Sequence, residues 1–67
     1  LGYETRIAPQ KVHGIAGFDS HGQPAFFNGR NYITPDIDSH NGGVWKVFNR
    51  KGQRLGTANA KLEMIGD

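Results

Sequence analysis

The 67-residue sequence predicts a mainly β fold: a compact, twisted antiparallel sheet of about four strands, with room for a short N-terminal helix. Three observations carry this expectation. Ten glycines punctuate the chain every few residues. No stretch shows the apolar stripe of period 3.6 that marks a long helix. The run "VWKVFN" at 44–49 is rich in the β-branched and aromatic residues that suit a pleated, half-buried strand.

The elements follow in chain order. Residues 1–7 read as the end of a helix or an extended arm, and Pro9 stops either one. Residues 12–18 are apolar but broken by Gly14 and Gly17, which reads as weak strand or loop. Residues 25–27 and 31–34 flank Asn28-Gly29 and read as a hairpin, because Asn-Gly supplies the positive φ that a tight turn needs. Pro35 ends the second strand. Residues 44–49 form the clearest strand, and "RKGQ" turns it back into 54–57. The segment "KLEMI" alternates and can close the sheet as a strand, with a short helix as the alternative. The expected core is Phe26, Ile33, Val44 or Trp45, Val47, Phe48, Leu55, Leu62 and Ile65.

A chain of 67 residues makes one small domain and buries a modest core, here with 36% hydrophobic residues. It has no cysteine, so neither disulfides nor cysteine-based zinc sites can staple it. No apolar run approaches the roughly 20 residues of a membrane span, and no signal peptide is visible. The first residue is Leu1 and not Met, as expected for the tip of a longer chain.

The formal charge of +2 hides an asymmetry. Between Ser39 and Leu62 there is no acid, while Lys46, Arg50, Lys51, Arg54 and Lys61 fall there. A basic half on a small domain suits a phosphate backbone, although a merely solvated surface would look similar.

The triplet Asp-Ser-His occurs twice, as Asp19-Ser20-His21 and Asp38-Ser39-His40, each followed closely by glycine. Either the triplets are turns or they bring two imidazoles to one site. In "TPDIDSHNGG", Asp36, Asp38 and His40 alternate, so an extended chain would set them on one face. Such a set could bind a divalent metal, but its residue types are equally those of turns. Neither serine lies in a strand-to-helix elbow, and the glycines lack the spacing of a phosphate-binding loop.

RNA cleavage needs less machinery. The 2′-hydroxyl attacks the neighbouring phosphate, and the protein supplies a base, an acid and a cation. Histidine suits the first two roles because it titrates near neutrality. His40 with Asp36 or Asp38, with His21 as a second imidazole and Lys46 as the cation, forms the candidate catalytic set. Trp45, Arg50, Lys51, Arg54, Thr57 and Lys61 are candidate RNA contacts. Tyr32 or Phe27 could also stack a base, core packing being the alternative for all the aromatics. No metal or cofactor is required. The competing classes are a metal-dependent nuclease and a non-enzymatic module that binds nucleic acid or protein.

"LGY" at the start, "SHGQPAFFNGRNYITPDIDSHNGGVWKVFNRKGQRLGT" in the middle and "L..IGD" at the end together resemble the novel toxin 21 family. The resemblance covers nearly the whole chain. It implies a single C-terminal toxin domain, residues 1–67, on a bacterial polymorphic toxin that is secreted or delivered at the cell surface by contact. It implies a ribonuclease acting on tRNA or rRNA in the cytoplasm of the target cell, and a cognate immunity protein that neutralises it. The basic face suggests that this partner is acidic. More loosely, "KGQRLGT" is similar to a strand pair of the ribosome-cutting colicins. On that comparison His40 matches the colicin histidine and Asp36 or Asp38 its aspartate, while Val44 and Trp45 stand where the colicin glutamate would be.

Overall fold

A computed structural model describes residues 2–38 and 43–66. Its centre is a six-stranded sheet whose spatial order is its chain order, every neighbouring pair antiparallel. The strands are β1 (Thr5–Ile7), β2 (Ala25–Phe27), β3 (Asn31–Pro35), β4 (Trp45–Asn49), β5 (Arg54–Ala58) and β6 (Met64–Gly66). The four strands expected from sequence are β2 to β5. The N-terminal arm is not a helix end: it adds β1 at one edge, with Ile7 opposite Ala25. The end of "KLEMI" supplies Met64 and Ile65 to β6 at the other edge, while its first three residues belong to the turn before it.

The helix sits elsewhere than expected. Residues 12–18 are neither strand nor loop alone: a 3-10 turn (Pro9–Lys11) runs into a five-residue helix, α1 (Val12–Ala16). Pro9 begins the turn, where a missing N–H costs nothing. Gly17, at φ +83°, ends the helix by donating its N–H to the His13 carbonyl at 3.0 Å. Val12 and Ala16, one turn apart, are the buried pair.

Strand alternation divides the apolar residues between two faces. One face carries Ile7, Ala25, Phe27, Tyr32 and Phe48, covered by Val12, Ala16 and Phe18. Phe18 stacks on Phe48 with ring centroids 3.8 Å apart, and meets Tyr32 edge-on at 5.9 Å. Tyr32 also stacks on Phe27 at 4.4 Å, so these two aromatics serve packing. The other face gathers Ile33, Val47 and Ala58, with Tyr3, Phe26, Trp45 and Leu62 half-buried against them.

Three expected core residues are exposed: Val44, Leu55 and Ile65. Val44 precedes β4, where Trp45 takes the inward position beside Phe26 at 5.9 Å. Leu55 is the extra residue of a bulge, since Val47 pairs with Gly56 and Phe48 with Arg54. Ile65 lies on the exposed edge strand β6.

One turn design is used twice. In Asn49-Arg50-Lys51-Gly52-Gln53, Asn49 Oδ1 accepts from Lys51 N and Gln53 N, and Asn49 N donates to the Gln53 carbonyl. In Asn59-Ala60-Lys61-Leu62-Glu63 the same bonds recur, Asn59 Oδ1 accepting from Lys61 N and Glu63 N. Each turn has a positive φ at its fourth residue, +79° at Gly52 and +64° at Leu62. A residue with left-handed backbone closes a three-residue hairpin loop in this way.

Gly52 is also required by space. A Cβ there would stand 2.5 Å from the Gly17 carbonyl oxygen, because the end of α1 rests on this turn. Gly22 has a similar φ of +81° with nothing within 4 Å. Both alanine substitutions should carry the left-handed cost of about 1–3 kcal/mol, and Gly52→Ala should add the cost of prying α1 from the sheet. Chemical denaturation of the two variants compares them. Equal losses would show that α1 is not seated on the turn.

Candidate active site

The central strands set the candidate site by register. Thr34 of β3 pairs with Lys46 of β4, which pairs with Thr57 of β5. The three side chains form a row on the face that carries Phe48, beyond the cover of α1. Thr34 and Thr57 are buried and Lys46 is half-buried between them. Two β-branched neighbours restrict the lysine stem and leave its ammonium group the freer end.

Arg54 joins this row. It lies opposite Phe48 at the far end of β5, yet its Nη2 donates to Thr57 Oγ1 at 2.8 Å. The guanidinium therefore runs along the strand toward Lys46. Two cations then share one end of the sheet, one of them bonded to the buried Thr57. Thr34 is occupied elsewhere. Its Oγ1 donates to the Pro24 carbonyl at 2.8 Å and ties the 19–24 loop to β3.

The acids enter at the same end. The Asp36 N–H donates to the Val44 carbonyl at 2.8 Å, so the β3–β4 ladder continues past Pro35 and Trp45. Alternation assigns Asp36 to the face of Thr34 and Lys46. The expected extended run does not continue: Ile37 and Asp38 form a turn, both exposed. His40 lies outside the described residues. Among the described residues no group of three His, Asp or Glu side chains could hold a metal ion.

The first Asp-Ser-His triplet is a turn. Asp19 Oδ1 accepts from His21 N at 2.8 Å, Ser20 Oγ donates to the Gln23 carbonyl at 2.6 Å, and His21 has φ +54°. The His21 ring is exposed, its Nδ1 3.8 Å from Asp19 Oδ2, beyond hydrogen-bonding range. Its loop leads into β2, at the end of the sheet where β3 leaves and β4 enters.

The candidate RNA contacts divide by place. Lys61 follows β5 on an exposed turn at the Lys46 end. Trp45 is on the opposite face, in a cup of Tyr3, Phe26, Ile33, Ala60 and Leu62. Arg50 and Lys51 lie at the other end of β4, apart from Lys46 and Thr57. Sequence reasoning missed Thr34 and the Arg54–Thr57 bond. The signal for Thr34 was available, since it and Asp36 alternate on one strand.

The sequence pattern of the family described as novel toxin 21 matches residues 1–67. A curated relative, the 16S rRNA endonuclease CdiA of Enterobacter cloacae subsp. cloacae, is 57% identical over 68 residues. The match takes in all of this chain but only 2% of the relative's length. A solved structure, the CdiA-CT/CdiI toxin and immunity complex from Enterobacter cloacae, superposes with a TM-score of 0.73 at 54% identity. That match covers 98% of this chain and 83% of the other. A match of the family pattern from the first residue to the last, on a sheet shared with a solved toxin, means that the chain belongs to the novel toxin 21 family.

Proposed function

We propose that this chain is the toxin domain of a longer antibacterial effector and cuts 16S rRNA in the target cell without a metal. The observation that carries this reading is the 57% identity, along the whole chain, to a relative named as a 16S rRNA endonuclease. The basic row of Lys46 and Arg54 supports it, because cleavage of a phosphodiester builds negative charge that fixed cations stabilise.

The chemistry asks little of so small a domain. A base removes the proton of the 2′-hydroxyl, and that oxygen attacks the adjacent phosphorus. The bond to the 5′-oxygen breaks, and an acid returns a proton to the leaving oxygen. The products are a 2′,3′-cyclic phosphate and a 5′-hydroxyl. In this reading His40 and Asp36 or Asp38 divide the proton transfers, with His21 as the candidate second imidazole. Lys46 faces the non-bridging phosphate oxygens, and Arg54 and Lys61 hold flanking phosphates.

The test is cleavage of 16S rRNA in EDTA. The wild-type chain should cut at a discrete position. His40→Ala should lose about 10²–10⁴-fold in rate, as expected for a missing general acid or base. Lys46→Ala should lose more than Lys51→Ala, because Lys46 is fixed between Thr34 and Thr57 while Lys51 sits on an exposed turn. Activity that returns only with a divalent metal would support a metal-dependent nuclease instead. No cleavage under either condition would support a binding module.

We also propose that a cognate acidic immunity protein covers the Lys46 end, its carboxylates taking the place of RNA phosphates. The solved relative is a toxin and immunity complex. Complementary charge should give fast association that slows as salt rises. Binding only the folded toxin should raise its unfolding temperature. Thermal melts with and without the partner, and association rates at low and high salt, are the measurements. A salt-independent rate with Lys46 left open would contradict this arrangement.

A further inference from the structure

Three cations gather at the end of the sheet away from Lys46. Arg30 lies on the β2–β3 turn, and Arg50 and Lys51 on the β4–β5 turn. Asn31 pairs with Asn49, so the antiparallel register brings the two turns side by side. With Asn31, Asn49 and Gln53 they line a shallow groove of about 390 Å³. All three cations are exposed, and none makes an ion pair among the described residues. Among the described residues one acid shares this end: Glu4, which precedes β1 near the Asn28 turn.

Both turns are built to stay in place. Asn28 Oδ1 accepts from Arg30 N and Asn31 N at 2.8 and 2.7 Å. Asn49 Oδ1 accepts from Lys51 N and Gln53 N at 2.9 and 3.0 Å, and Asn49 Nδ2 donates to Gln53 Oε1 at 2.8 Å. The backbone N–H of Arg30 and of Lys51 is thus pinned by an asparagine two residues earlier, and Arg50 lies within the second of these closed turns. A cation on such a base loses less freedom when it binds than one on a loose loop.

We infer that this groove is a second RNA-backbone site, which grips phosphates remote from the cut. The inference rests on the ribonuclease reading above. The lining has cations and amides but no apolar side chain. Protein interfaces anchor on buried aromatic or aliphatic groups, whereas phosphate contacts use these polar groups. Four residue steps lead along β4 from Trp45 to Asn49, so the groove stands roughly 13 Å from the Lys46 end at the usual strand rise. One phosphate cannot serve both ends. The groove therefore takes a phosphate other than the scissile one, from backbone that continues along the protein or returns to it.

The experiment compares wild type with the triple variant Arg30→Gln, Arg50→Gln, Lys51→Gln. The probe is a fluorescent 16S rRNA hairpin, 2′-O-methylated so that it cannot be cut, titrated over a range of salt. Losing three phosphate contacts should make the slope of log affinity against log salt shallower by about 2–3, at roughly 0.7–0.9 per contact. Affinity at low salt should fall at least about tenfold. Arg30→Gln alone should change the slope by about 1, which keeps the test open if the triple variant does not fold. Unchanged slopes, with wild type still binding and cutting RNA, would overturn the groove and leave the nuclease reading standing. Wild type that neither binds nor cuts RNA would overturn both. A triple variant that keeps its RNA slope but loses the immunity protein would assign the groove to that partner and overturn the inference.

Discussion

The stack of Phe18 on Phe48 fixes which way the sheet faces. Its rings lie 3.8 Å apart and 5° from parallel. Phe48 belongs to β4, so seating it under Phe18 sets the parity of the strand. Lys46, two residues earlier, must then share that face, while Trp45 and Val47 must take the other. A slip of one residue would send the lysine to the Trp45 cup and a valine to its place. A domain of this size holds about 3–10 kcal/mol of net stability, and cutting a buried phenylalanine to alanine costs about 3–5. This one ring pair therefore weighs as much as the margin by which the fold persists.

Two features extend that constraint into the site. The register Thr34, Lys46, Thr57 crosses the three central strands, where fraying is least. The bulge at Leu55 then sets Arg54 opposite Phe48, on the Lys46 face, where it reaches Thr57. Without the extra residue, alternation would have Arg54 on the opposite face from Thr57. The repeated Asn-led turn works in the same sense. It closes β4 to β5 and β5 to β6 with one bonding pattern, and each copy places a lysine in its middle, Lys51 at one end of β5 and Lys61 at the other. The positive charge read as a single basic half of the sequence is in fact two groups at opposite ends of the sheet.

What the sequence made legible follows the same physics. Strands β2 to β5 were readable because period-two alternation and the turn residues around them agree. Helix α1 was not, because five residues interrupted by Gly14 cannot show a helical stripe; its stability comes from burying Val12 and Ala16 under the sheet. Leu55 was misread as core because a bulge leaves no mark in composition. Ile7, Val12, Ala16 and Phe18 were missed as core because each is buried by a contact distant in sequence. In the candidate site, the place of Lys46 on β4 was legible, and Asp36 falls just past the end of β3. The role of Thr57 as an acceptor for Arg54 was not, since it depends on a register shift. The first Asp-Ser-His triplet resolves as a turn held by Asp19 and Ser20.

The proposed chemistry is tested most directly by the ends that cleavage leaves on the RNA. Mass spectrometry of 16S rRNA fragments, cut by the purified chain in EDTA, reads them without any substitution in the protein. Attack by the neighbouring 2′-hydroxyl predicts a 2′,3′-cyclic phosphate, or the 3′-phosphate formed from it, facing a 5′-hydroxyl. A 3′-hydroxyl facing a 5′-phosphate would mean that water was the nucleophile and would contradict the roles given to His40, Asp36 and Lys46.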